Sequence, residues 1–359
     1  MTQRHLVVMA AGTGGHVIPG LAVAREMQAR GWSVSWLGTT TGMENRLVPP
    51  SGIALDTIRF SGLRGKGLLH TLTGGMRLLG AFWSCLQILR RRRADAVLGM
   101  GGYVCFPGGV MASLLGRPLL LVNADASLLL SNKLLLPLAD GVAFGFDGEA
   151  ARRTRRAAVT GNPVRAEIEA LPAPVQRFAG REGALRLLVV GGSLGASVLN
   201  HCLPQALALL GATQRPLVMH QTGTAQYDEV RALYRSLGVR ADVEPFIDDM
   251  ANQLALCDLM ICRAGAVTVS ELCAAGVAAL LVPLVASTTS HQRDNAQWLT
   301  SHAAGMHLPQ VDLTPRKLAD LLGELTREGL LAIAQKARSL ARPHAAMRVA
   351  DQIEHLVAA

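Results

Sequence analysis

The stretch Met9-Ala10-Ala11-Gly12-Thr13-Gly14-Gly15-His16 follows the apolar run Leu6-Val7-Val8-Met9. It leads into Val17-Ile18-Pro19-Gly20-Leu21-Ala22-Val23-Ala24, whose apolar residues recur at helical spacing. The order is strand, glycine turn, helix. Glycines let backbone crowd a ligand, and the free amides of a helix start favour an anion. His16 adds an imidazole beside that cradle, a group that exchanges a proton near neutral pH. It reads either as a catalytic base or as a structural histidine.

A dinucleotide site is the nearest rival. Its G-x-G-x-x-G pattern needs glycine or alanine at 17, where this chain has Val17. The second expected strand, 33–37, runs into Gly38-Thr39-Thr40 without an acidic residue for a ribose. Both features disfavour an NAD-dependent oxidoreductase.

Further strands are expected at 55–58, 96–99, 118–122 and 141–144, with a long helix over 68–93. Leu72, Met76, Leu79, Phe82, Trp83, Leu86 and Leu89 give that helix a broad apolar face, and Arg90 to Arg93 end it. Two compatible readings follow: a core-facing helix whose basic end suits its dipole, or an exposed end resting on an anionic bilayer. Met100-Gly101-Gly102-Tyr103-Val104 is a second glycine turn, and Arg152 to Arg156 reads as a solvated charge run. Gly161-Asn162-Pro163-Val164-Arg165 marks a break, and the Pro-containing, polar stretch 171–186 reads as a connection between domains.

The pattern then restarts. Leu187-Leu188-Val189-Val190 enters Gly191-Gly192-Ser193-Leu194-Gly195-Ala196, and strands at 216–220, 242–245, 259–262 and 279–282 alternate with helical segments. Short strands alternating with helices predict a parallel sheet covered on both faces, once in each half. Cys262-Arg263-Ala264-Gly265-Ala266-Val267-Thr268-Val269-Ser270-Glu271 is again strand end, small-residue turn and helix start. Its amides suit a phosphate, and Glu271, one turn into the helix, can accept both hydroxyls of a ribose. With Gly191-Gly192-Ser193 opposite, this describes a nucleoside-diphosphate site at the carboxyl ends of parallel strands.

Composition sets the outer limits. With 359 residues, half of them hydrophobic, the chain has material for two domains with their own cores. A net charge of +9 asks for an acidic partner: nucleic acid, anionic lipid or a phosphorylated substrate. At 4% aromatic and without an RNA-binding signature, nucleic acid is the weakest of these. The six cysteines show no C-x-x-C spacing, which predicts small core residues of a reducing compartment. The apolar run at the N-terminus is too short for a signal peptide. Windows 96–116 and 272–292 have membrane-spanning length, but Gly and Pro107 in one and Pro283 with a Ser/Thr run in the other favour buried strand–loop–helix units. A cytoplasmic protein is expected.

GTGGH at 12–16, GNPVR at 161–165, GGSLGA at 191–196, RAGAVTVSE at 263–271 and HQRDNA at 291–296 resemble, in order and across nearly the whole chain, the MurG family of glycosyltransferases. The resemblance implies a GT-B fold, two Rossmann-like doubly wound parallel-sheet domains facing a central cleft. Residues 1–163 would serve the lipid-linked acceptor and the membrane surface, 164–340 the donor, and 341–359 would form a helix packing back on the first domain. It implies inverting transfer of N-acetylglucosamine from UDP-N-acetylglucosamine to the C4 hydroxyl of undecaprenyl-diphosphate-linked N-acetylmuramoyl-pentapeptide. The setting would be peptidoglycan synthesis at the cytoplasmic face of the inner membrane, serving cell shape and division beside other cell-wall synthesis proteins.

Carried over by position, the family's donor residues fall on Thr13, Gly14, Gly15, Asp125, Arg165, Ser193, Ile247, Gln292 and the run Ala266, Val267, Thr268, Val269, Ser270, Glu271. Ile247 would meet uracil through its backbone, Glu271 the ribose, and Gln292 the transferred sugar. His16 is the candidate base, and Asn123, Tyr103 and Arg64 are candidates for the acceptor side. Plainer readings stand beside three of these: Ser193 as a helix cap, Arg165 as an interdomain salt bridge, Gln292 as a surface amide. One departure is clear. Where the family commonly has His-Glu-Gln-Asn, this chain has Val122-Asn123-Ala124-Asp125, so Asn123 replaces an acidic residue and Asp125 an amide donor. That loop leaves open a non-enzymatic scaffold that binds a nucleotide sugar without turnover. There is no Asp-x-Asp motif, Asp248-Asp249 reads as a turn into a helix, and neither a catalytic metal nor another cofactor is expected.

Overall fold

A computed structural model describes residues 3–60, 68–192, 195–284 and 290–358. In chain order it begins β1 His5–Ala10, α1 Gly14–Ala29, β2 Ser33–Thr39, α2 Glu44–Leu47, β3 Ala54–Ile58, α3 Leu68–Arg92, β4 Ala96–Gly101 and α4 Cys105–Leu114. It continues through β5 Leu119–Asn123, α5 Leu130–Leu135, β6 Gly141–Phe144, α6 Glu149–Arg153 and β7 Ala157–Val159. After the short helices α7 Ala166–Glu169 and α8 Pro174–Phe178 come β8 Arg186–Val190, α9 Ser197–Leu209, β9 Leu217–Gln221, α10 Tyr227–Ser236, β10 Asp242–Glu244 and α11 Met250–Leu256. The rest is β11 Leu259–Cys262, α12 Ala266–Ala275, β12 Ala278–Leu281, α13 His291–Ser301, β13 Met306–His307, α14 Pro315–Glu324, α15 Arg327–Ser339 and α16 Ala345–Ala358.

Two compact units result, one of residues 1–163 with 344–359 and one of 164–343. The first holds a seven-stranded sheet in the order β3-β2-β1-β4-β5-β6-β7, the second a six-stranded sheet in the order β10-β9-β8-β11-β12-β13. Every described pairing is parallel, for instance Leu6 with Val34 and with Ala96. In both sheets the order reverses beside the first strand, between β1 and β4 and between β8 and β11. A parallel strand order that reverses leaves a crevice at the carboxyl ends of the strands on either side. The glycine turns at 11–16 and 100–104 sit at the first reversal, and Gly191-Gly192 and the turn at 263–265 at the second.

Alternation along the strands builds the cores. Leu6, Val8 and Ala10 of β1 join Leu98 and Val122 on one face of the first sheet, under α1 and α16. Val7 and Met9 join Val97 and Leu121 on the other, under α3 and α4. In the second unit Leu187, Val189, Leu259, Ile261 and Leu280 pack beneath α9, α14 and α15. The six cysteines are buried and free. No helix among the described residues is long and apolar enough to cross a membrane.

Three expectations need correction. The apolar stripe on α3 is not a core face throughout: Met76, Leu79 and Trp83 are 76%, 70% and 61% exposed, while Ala81, Cys85, Ile88 and Leu89 are buried. Small Ala81 and Cys85 let the helix lie close on the sheet, which turns the larger side chains outward. Second, the stretch 171–186 is not a connection between domains but part of the second unit. Arg177 donates to the carbonyls of Leu254, Ala275 and Gly276, and Arg181 pairs with buried Asp258, so both side chains fasten it to the second unit. Third, β7 and β13 extend the sheets, although the sequence reading passes over them. Asp249 caps α11, its Oδ1 accepting the N–H of Asn252 at 2.9 Å, as the turn-into-helix reading expects.

Candidate active site

The turn after β1 is held from below. Gly12 donates its N–H to Oε2 of Glu44 at 3.0 Å, and its carbonyl accepts the N–H of Met43 at 3.0 Å. Thr13 takes an extended conformation at the N-cap of α1, so the N–H groups of Gly14 and Gly15 open the helix without intrahelical acceptors. Thr13 and Gly15 are exposed and Gly14 half-buried. Half-buried His16 packs against the second turn, where a Cβ at Gly101 would lie 2.5 Å from its Nδ1. Gly101 has φ +125, and a Cβ on Gly102 would collide with the carbonyl of Ala11. The two turns therefore fit together only as glycines.

The loop after β5 is shaped by Asn123, which is fully buried. Its Nδ2 donates to the carbonyls of Asp125 and Ser127, and its Oδ1 accepts from Leu129 N and from Nδ2 of Asn132. Asn123 thus organises residues 124–129 from inside. Asp125 is half-buried on that loop, and Asn162 holds it from the other side by donating to the carbonyl of Ala124 at 2.9 Å. Tyr103 is about half exposed, at the end of the Gly101–Gly102 turn. Arg64 and Ser193 lie outside the described residues.

In the second unit, Arg165, Gly192, Arg263, Thr268 and Glu271 line one cavity of about 80 Å³ over the ends of β8 and β11, with Met250, Leu254 and Met260 as apolar wall. Gly265 caps α12 in an extended conformation, leaving the N–H groups of Ala266, Val267 and Thr268 to point out of the helix start. Val269 differs from these three: its side chain is fully buried and its N–H bonds the carbonyl of Gly265. Ser270 is half-buried one residue further on.

Oε1 of Glu271 accepts from Nε of Arg165 at 2.9 Å, so Arg165 forms an ion pair within its own unit and not an interdomain one. Burial raises the Glu271 carboxyl above its ordinary value, against the opposing pull of Arg165. Arg263, half-buried, donates to the carbonyl of Val282 and to Gln310. Gln292 at the start of α13 accepts the N–H of Leu284, so it anchors a loop end instead of lying idle on the surface. Ile247 is buried, and its N–H is bonded to Oε1 of Gln221.

The structure therefore brings Arg165, Thr268 and Glu271 together around one cavity, and separately sets His16 against Gly101. Glu44, Gln221 and Asn162 also support these loops, and the sequence reading assigns none of them a role. The only cue in the chain was a polar residue at a strand end or just past a turn.

Comparison with known proteins gives the family. The N-terminal domain of glycosyltransferase family 28 matches residues 6–144, and the C-terminal domain of the same family matches 186–356. A UDP-N-acetylglucosamine--N-acetylmuramyl-(pentapeptide) pyrophosphoryl-undecaprenol N-acetylglucosamine transferase of Methylibium petroleiphilum is 70% identical over 99% of each chain. The protein of the same name from Chromobacterium violaceum is 62% identical over 99% of each. The crystal structure of Acinetobacter baumannii MurG superposes with a TM-score of 0.86 at 38% identity, covering 98% of this chain and 99% of that one. On these grounds the chain belongs to glycosyltransferase family 28 and, within it, to the MurG family.

Proposed function

We propose that this chain is a hexosyltransferase that moves N-acetylglucosamine from UDP-N-acetylglucosamine to undecaprenyl-diphosphate-linked N-acetylmuramoyl-pentapeptide, converting lipid I to lipid II in peptidoglycan synthesis. What carries the reading is identity over the full length with enzymes of that name. The cavity in the second unit supports it, since helix-start amides, a carboxylate and two arginines suit a nucleoside diphosphate.

In this reading the amides of Ala266, Val267 and Thr268 hold phosphate together with Ser193. Glu271 accepts from the ribose hydroxyls, with Arg165 keeping its carboxylate in place, and Ser270 adds a hydroxyl beside it. Ile247 offers its carbonyl to the base, and Gln292 meets the sugar. Val269 serves by anchoring the helix. Thr13, Gly14, Gly15 and Asp125 complete the sugar and diphosphate contacts, while Tyr103, Arg64 and the loop organised by Asn123 serve the acceptor. His16 takes the proton of the C4 hydroxyl as that oxygen attacks the anomeric carbon from the face opposite UDP. The bond to UDP breaks with its electron pair on the diphosphate, and the configuration inverts to a β-1,4 link. Amides at the helix start and the Arg263 guanidinium stabilise the charge that builds on the leaving group.

Attachment to the cytoplasmic face of the inner membrane belongs to the same reading. Met76, Leu79 and Trp83 of α3 are exposed, as are Leu130 and Leu134 of α5, and Arg90 and Arg93 are exposed at the end of α3. Apolar side chains with arginines beside them suit an anionic bilayer surface. Such a site serves cell shape and division, alongside other cell-wall synthesis proteins.

The test is transfer of radiolabel from UDP-N-acetylglucosamine to a lipid-linked muramoyl acceptor. Nucleotide-sugar binding without any transfer would favour a scaffold and sink the enzyme reading. His16→Ala at saturating donor is expected to lose on the order of 10²–10⁴ in turnover. Near-normal turnover in that variant would remove His16 as the base.

A further inference from the structure

Gln221 ends β9 between β8 and β10, each followed by a segment of the donor reading: it pairs with Val190 of β8 on one side and with Glu244 of β10 on the other. It is 3% exposed, and its amide works in two directions. Nε2 donates to the carbonyl of Gly192 at 3.2 Å, while Oε1 accepts the N–H of Ile247 at 3.0 Å. One side chain therefore fastens the turn after β8 to the loop after β10. Its chemistry is specific to the task. Glutamate would put an oxygen against the Gly192 carbonyl, and methionine, of nearly the same length, has no N–H to donate.

The ground beneath Gln221 is rigid. The neighbouring Thr222 donates its N–H to Glu244 O at 3.0 Å, and its carbonyl accepts from Nδ2 of Asn200 at 3.0 Å. On the other side, buried His220 lies between Asn200 Oδ1 and the Tyr234 hydroxyl, at 3.1 and 2.9 Å. The amide is thus presented from a fixed strand end to two irregular segments.

We propose that Gln221 is a positioning residue that sets the spacing between the turn receiving the diphosphate and the loop receiving the base. This rests on the donor reading of Gly192-Ser193 and Ile247 given above. A nucleoside diphosphate engages both segments at once, so its advantage over the nucleoside alone depends on their being held at one separation. With Gln221 gone, each segment still meets its own part of the ligand, but the two no longer match a single rigid molecule.

The experiment compares full-length Gln221→Met and Gln221→Glu with the unaltered protein. UDP is titrated by calorimetry, uridine is followed by competition, and thermal unfolding is recorded alongside. UDP affinity is expected to fall about tenfold or more in both variants, while uridine affinity changes less than about twofold. KM for UDP-N-acetylglucosamine should rise in step with the loss of UDP affinity, with kcat and the acceptor KM within about threefold of the unaltered enzyme. If the methionine variant does not fold, the glutamate variant, with its shape and one acceptor kept, carries the comparison. Unchanged UDP affinity in a folded variant, or equal losses for UDP and uridine, overturns the proposal. If the unaltered protein fails to bind UDP, the donor reading itself falls, and that result is separate from any difference among the variants.

Discussion

Glu44 has no exposed surface, and its carboxylate gathers three donors: Gly12 N at 3.0 Å, Thr39 N at 2.8 Å and the Thr39 hydroxyl at 2.7 Å. A glutamine in its place must turn an NH2 toward one of these donors and leave a buried N–H unmet. Glu44→Gln is therefore expected to lower unfolding stability by about 1–3 kcal/mol, read from the midpoint of a urea titration, and to slow turnover as the Gly12–His16 turn loosens. A midpoint equal to that of the unaltered protein would remove Glu44 from this role. In the sequence nothing singles out Glu44, because the amide it holds lies 32 residues away. Glu271 was legible as a carboxylate at a helix start, which is the basis for proposing it as the ribose acceptor. Its ion pair with Arg165 was not, since the partner is 106 residues distant and both readings of Arg165 were open.

At the scale of elements, α3 and the α9–β9–α10 cluster each carry a measurable consequence. Replacing Met76, Leu79 and Trp83 together by serine should abolish sedimentation with anionic vesicles and shift unfolding stability by no more than roughly 0.5 kcal/mol per site, as exposed positions do. Vesicle binding that survives the triple change would place the membrane contact elsewhere. Within the second cluster, burial lowers the His220 imidazole to about 3 from an ordinary 6.5. Because the folded value lies below the unfolded one, His220 is neutral in the fold, and the unfolded chain gains the proton first as pH falls. The stability this residue contributes is complete above pH 6.5 and is lost progressively between 6.5 and about 3, at roughly 1.4 kcal/mol per pH unit. His220→Gln should flatten that slope in thermal melts recorded from pH 7 to 4. An unchanged slope would mean that other groups dominate acid unfolding. Long elements were readable from the sequence because a stripe or an alternation repeats within them. β7 and β13, three and two residues long, give periodicity too little to repeat, and only their neighbours in the sheet define them.

For the whole molecule, the chain closes on itself: after the second unit it returns to the first, where α16 lays Val349, Ala350 and Ile353 against Val17 and Leu21 of α1. Arg30 on the far end of α1 bonds Asp351 at 2.7 Å and Glu354 at 2.8 Å. Removing residues 345–359 uncovers this face at a cost on the order of 3–6 kcal/mol for the two large aliphatic side chains, comparable to the whole margin of a domain. Calorimetry should then lose the transition of the first unit and keep that of the second, while retention of both would show that α16 is dispensable. By itself the sequence determined two α/β halves, their longer strands, and the glycine turns that join strand to helix, because these are local properties written within about ten residues. It also carried, through motif order, the family to which the chain belongs. Only the tertiary structure decided that the glycine turns fall where the strand order reverses, that α3 turns its largest apolar residues outward, and that Gln221 ties Gly192 to Ile247. Those outcomes depend on which distant strands become neighbours and how closely a helix can approach a sheet, and no window of sequence contains both partners.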